Sequence, residues 1–125
     1  KRAERTMGAF TSALTERPWA HDIMLLGVDA FHGGPKDVVL ASVAHADATD
    51  ATRAREQALL DTFGTTYSPH AVLVRPGSLP WTAGKRPRKG MPTVYVCERG
   101  RCDLPTSDPA VFAQQLLDVK PYPAR

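Results

Sequence analysis

Val38-Val39-Leu40-Ala41-Ser42-Val43 is the stretch on which the fold turns. It follows Asp37 as a continuous run carrying valines and a leucine, the pattern of a strand buried on both faces. A polar turn comes next, in which Asp47, Thr49 and Asp50 are candidate N-caps for a helix at 51–63. Ala58, Leu59 and Phe63 would form the inner face of that helix, and Gly64 would cap its C-terminus in the left-handed conformation. Ala71-Val72-Leu73-Val74 is a second apolar strand. Strand, helix and strand in this order predict a βαβ unit with a parallel pair and a right-handed crossover.

Downstream, residues 75–92 read as a loop punctuated by Pro76, Gly77, Pro80, Gly84, Pro87, Gly90 and Pro92. Thr93-Val94-Tyr95-Val96-Cys97 is the expected third strand, rich in β-branched and aromatic side chains. Glu98-Arg99-Gly100-Arg101 turns the chain, so 102–104 is expected to return as a short antiparallel partner. Asp108-Pro109 opens a last helix, with Val111, Phe112, Gln115, Leu116 and Val119 inward and Pro121 as its stop. Upstream, Ala3, Met7, Phe10 and Leu14 recur at helical spacing and predict an amphipathic helix over 2–15. Pro18 breaks it. A second helix follows at about 19–31, ended by Gly33-Gly34-Pro35. The expected architecture is therefore α/β: a small, mainly parallel three-strand sheet with flanking helices and an N-terminal helical hairpin. The chain divides into a hairpin at 1–35 and a small α/β domain at 36–125.

The totals fit one domain. A chain of 125 residues suits a single hydrophobic core, and 42% hydrophobic with 23% charged residues is ordinary for a folded protein. Aromatics are sparse at 7%, leaving aliphatic side chains to fill the interior. A net charge of +3, dispersed along the chain, is too weak to argue for nucleic acid from composition alone, and such a partner is not expected. The longest apolar run, 23–28, falls far short of the roughly 20 residues that span a bilayer, so no membrane partner is expected. With no apolar leader, cytoplasmic residence is the default expectation. A first residue of Lys1 suggests a fragment of something longer.

Candidate chemistry centres on Cys97 and Cys102, the only cysteines. Across a hairpin, Cα separations of about 5.5 Å would permit a disulfide, which over so short a loop stabilises by roughly 2 kcal/mol. Reduced structural thiols, a disulfide, metal ligation and redox chemistry all remain open. Redox thiols are typically tuned by a helix N-terminus, absent from this C-x4-C pattern, although Arg99 and Arg101 could favour thiolate. Structure rather than turnover is the expected role. Zinc would need His45 or His70 as further ligands, without a paired spacing; His21 and His32 read as ordinary helix residues. No metal or cofactor is therefore expected. Lys85-Arg86-Pro87-Arg88-Lys89 is a basic cluster and a candidate anion-binding loop, although a solvated loop is the plainer reading. Asp47 and Asp50 would repel an anion from the helix they precede. Asp103, Ser107 and Asp108 look like turn and capping residues, and no nucleophile stands at motif spacing from a base.

Pro92-Thr-Val-Tyr-Val-Cys97, followed by Cys102-Asp-Leu-Pro105 and Ser107-Asp-Pro109, resembles the C-terminal end of the thioredoxin domain-containing proteins of the spermatogenesis-associated protein 20 family. Arg17-Pro-Trp-Ala, Met24-Leu25 and Tyr67-Ser-Pro-His-Ala-Val-Leu-Val are similar in order and spacing. The resemblance implies a longer parent with an N-terminal thioredoxin-like domain and an α/α toroid. Residues 1–35 would then be the toroid's last helices, and 36–125 a terminal appendage. It transfers no catalytic residue. The expected function is a non-catalytic C-terminal accessory domain, with the Met7, Phe10 and Leu14 face packed on the remainder of the parent polypeptide or on another copy. The alternative is a ligand-binding or redox module using the Cys97/Cys102 hairpin.

Overall fold

The computed structural model describes residues 2–118. In chain order the helices and strands are α1 (Arg2–Ala9), α2 (Thr11–Glu16), α3 (Asp22–His32), β1 (Lys36–Ala41), α4 (Asp50–Thr65), β2 (Ala71–Val74), β3 (Thr93–Glu98), β4 (Arg101–Cys102) and α5 (Pro109–Leu117). Val119 and Pro121, expected to finish the last helix, lie outside the described residues.

The strands form one four-stranded sheet in the order β2-β1-β3-β4. β1 and β2 are parallel, with Lys36 opposite Ala71 and Val39 opposite Val74, as the strand–helix–strand pattern predicts. β3 lies on the other side of β1 and runs antiparallel to it, with Lys36 opposite Glu98 and Ala41 opposite Thr93. β4 adds a second antiparallel pair. The sheet is therefore mixed and four-stranded, not mainly parallel and three-stranded. The cause is the connection. A parallel neighbour requires a crossover that carries the chain back to the strand's starting end, usually a helix. α4 does this between β1 and β2, whereas the loop after β2 contains no helix longer than the 3₁₀ turn Pro80–Thr82. It stays at the end where β2 finishes and feeds β3 in the opposite direction.

Parity then sorts the side chains. Val38 and Leu40 of β1, with Val94 and Val96 of β3, face α4 and α5, where Leu59, Phe112 and Leu116 complete the buried core. Leu60, Phe63, Ala71 and Leu73 pack at its margin. Thr49 caps α4: its hydroxyl accepts from Thr52 N at 3.2 Å, and Thr52 Oγ1 accepts from Thr49 N at 2.9 Å. Gly64 does not end this helix, which continues through Thr65 and is capped by Thr66. Asp108 caps α5 by accepting from Ala110 N at 2.8 Å, with Pro109 as the first helical residue. Val111, expected inward, is exposed.

At one end of this core sits a buried ion pair. Lys36 Nζ lies 3.4 Å from Glu98 Oε2, its cross-strand neighbour, and both side chains are buried. The ammonium also donates to the carbonyls of Gln115, at 3.0 Å, and Asp118 at the C-terminal end of α5. A cation is favoured there because the last carbonyls of a helix have no intrahelical donors.

The N-terminal segment is helical, but the first expected helix is broken. Phe10 separates α1 from α2. Gly8 is a weak helix former, and its carbonyl accepts from the Thr11 hydroxyl at 2.9 Å. Residues Pro18–Ala20 form a 3₁₀ turn, so Trp19 precedes α3 instead of starting it. None of these helices contains a buried residue. Among the described residues no helix is long and apolar enough to cross a membrane.

Candidate thiol and anion sites

Cys97 in β3 and Cys102 in β4 stand directly opposite one another. Beside them Asp103 N donates to Val96 O at 2.8 Å, so the ladder bonds fall on the flanking pairs. The cysteines thus occupy a non-hydrogen-bonded position, where side chains of an antiparallel pair approach most closely. Their Cα atoms are 3.9 Å apart and their sulfurs are joined in a disulfide. Cys97 is buried, at 6% exposure, whereas Cys102 is exposed. The turn between the strands places Arg99 at φ 52° and Gly100 at φ 81°. A two-residue type I′ turn demands positive φ at both central positions, which glycine adopts freely and arginine does not.

Of the two arginines flanking the pair in sequence, Arg99 is committed elsewhere. Its Nη2 donates to Phe31 O at 3.1 Å and His32 O at 3.4 Å, at the C-terminal end of α3. A cation does stand beside the sulfurs, Lys85 from the basic loop. Its Nζ lies 3.6 Å from Cys97 Sγ and 3.8 Å from Cys102 Sγ. The same ammonium sits 4.9 Å from the centre of the Tyr95 ring.

The loop is held in this position by β3. Tyr95 Oη donates to Arg86 O at 2.7 Å and accepts from Arg86 N at 3.4 Å. Arg88 N donates to Thr93 Oγ1 at 2.9 Å, and the Thr93 hydroxyl donates to Met91 O at 2.9 Å. Thr93, Tyr95 and Cys97 share one sheet face, so loop and disulfide meet there, opposite the face covered by α4 and α5.

The basic cluster consequently divides. Lys85 turns to the sulfurs, and the Arg86 backbone engages Tyr95. Arg88 and Lys89 line a cleft of about 550 Å³ with Arg55 of α4 and the hydroxyl-bearing Thr93, Thr106 and Ser107. Its cations and hydroxyls suit an anion, but Asp108 also lines it, and a carboxylate there opposes one. Arg55 has no motif around it that would single it out in the sequence. Lys85 was legible only as one member of a charge run; its place beside the cysteines depends on the path of the loop.

The histidines do not join the cysteines. His70 Nε2 is 2.9 Å from Asp29 Oδ2, and His45 is exposed in the turn before α4. With both sulfurs bonded to each other, neither is free for zinc, and no group of three or more His, Cys, Asp or Glu gathers among the described residues. Asp50 lies in the first turn of α4 and pairs with Arg53 at 3.0 Å. Asp47 belongs to the 3₁₀ turn His45–Asp47. Asp108 caps α5, and Ser107 Oγ is 3.4 Å from Thr93 Oγ1. The molecule is a mixed α/β protein with a disulfide-closed β-hairpin. Comparison with family models, curated proteins and solved structures finds no match.

Proposed function

We propose that this chain is an accessory domain of a larger polypeptide, attached through its N-terminal hairpin to helices of that polypeptide. The observation that carries the reading is the state of α1, α2 and α3, which contain no buried residue. Met7 and Leu14 of the expected docking face line an open groove of about 630 Å³ opposite Leu25, Val28 and Phe31 of α3. Trp19, Ile23 and Leu26 are 79%, 76% and 63% exposed. Helices this short are marginal in water and draw their stability from packing an apolar face. A row of large, largely exposed apolar side chains marks a contact surface. The resemblance to the end of a thioredoxin-domain and α/α-toroid protein supports helices of the same polypeptide as the occupant.

The test is to express residues 1–125 alone and joined to the segment encoded upstream. Alone, the chain should bind an apolar-surface dye and show rapid amide exchange in 2–32. The longer chain should suppress both, and Ile23→Lys with Leu26→Lys should restore them. Full protection of 2–32 and no dye binding in the isolated chain would refute the reading.

A further inference from the structure

We propose that Cys97, Cys102 and Lys85 form a thiol–disulfide exchange site, with Cys102 as the sulfur attacked and Cys97 as the leaving thiolate. The inference is independent of the docking surface and would survive its failure. Three observations converge on it. The disulfide is asymmetric in access: Cys102 is exposed on β4, while Cys97 is buried in β3. An incoming thiolate therefore meets Cys102 first. Secondly, an ammonium stands beside both sulfurs, slightly nearer Cys97, at 3.6 Å against 3.8 Å. A thiolate is stabilised by an adjacent cation, and a stabilised thiolate leaves faster. Thirdly, Lys85 is held in place: its ammonium sits over the Tyr95 ring, whose hydroxyl grips the neighbouring Arg86 backbone. The helix dipole that tunes many redox thiols is absent; Lys85 supplies the charge in its place.

The reaction partner is a thiol. Its thiolate attacks Cys102 Sγ, the bond between Cys102 Sγ and Cys97 Sγ breaks, and the electron pair departs on Cys97 as a thiolate beside the Lys85 ammonium. A mixed disulfide remains on Cys102. A second thiolate attacks the partner's sulfur in that mixed disulfide and releases Cys102 as thiolate. The balance is two thiols oxidised to one disulfide and one protein disulfide reduced to two thiols.

Reduced glutathione is the probe, with the 125-residue chain and its Lys85→Met, Lys85→Arg and single-cysteine variants. Rapid alkylation and mass mapping of the intermediate should place glutathione on Cys102. Lys85→Met should slow opening about tenfold, with Lys85→Arg close to the parent rate. Thiolate absorbance of the reduced protein should titrate at higher pH in Lys85→Met, a shift that a merely structural lysine would not produce. Cys97→Ala and Cys102→Ala, each holding one thiol, assign that titration by residue without requiring the disulfide. Glutathione mapped to Cys97, Lys85→Met opening at the parent rate with an unchanged titration, or thiols that oxidised glutathione cannot join would each overturn the proposal.

Discussion

Lys36 is a charged residue inside a hydrophobic domain, held there by three acceptors: Glu98 and the carbonyls of Gln115 and Asp118. Burying a charge is costly, and removing one partner of a buried pair strands the other's charge in low dielectric. Lys36→Met should therefore lower unfolding free energy by about 3–5 kcal/mol, read from urea denaturation. Lys36→Met with Glu98→Leu should recover much of that loss, because apolar replacement of the whole pair removes the desolvation cost. Arg99 poses a different balance. Its backbone is held at positive φ, at a cost of about 1 kcal/mol for a side chain other than glycine or asparagine, while its guanidinium ties the turn to α3. Arg99→Asn should keep the turn and leave the sheet at least as stable. Amides in the last turn of α3 should lose exchange protection, and unchanged protection would show that the tether contributes nothing.

At the scale of elements, α4 shows where local rules hold and where packing overrides them. Thr49 is one of the caps that the turn chemistry predicts, and Thr49→Ala should cost about 1 kcal/mol. Gly64 was expected to stop the helix, yet the helix runs past it. The continuation keeps Phe63, packed at the margin of the core, within helical geometry. A Cβ at Gly64 would meet nothing within 4 Å, and its φ is not in the positive range. Gly64→Ala should thus stabilise the protein by roughly 0.5–1 kcal/mol, measured by thermal or urea unfolding. The β3–β4 hairpin is short on its sheet side, since β4 spans only Arg101–Cys102. The disulfide shortens the unfolded loop there, and Cys97→Ser with Cys102→Ser should lower stability by about 2 kcal/mol.

The whole molecule joins an α/β layer with a packed core to a hairpin without one. Arg99 links the sheet to the end of α3, and His70 pairs with Asp29. Limited proteolysis of the isolated chain should cut first within 2–32 and leave a resistant core spanning β1 to α5; first cleavage inside the sheet would contradict this. Much of the plan was determined by sequence alone. The parallel β1–β2 pair, the caps at Thr49 and Asp108, and the strand at β3 follow from apolar periodicity, turn residues and capping oxygens, all of which act within a few residues. Only tertiary structure decided the direction of β3, because that depends on the end of the sheet at which a long loop remains. It also decided that Lys85 meets the two sulfurs, that Arg55 joins Arg88 and Lys89, and that Lys36 meets Glu98 below the end of α5. These contacts join residues far apart in the chain, brought together by ladder register and loop path, and no local pattern records them.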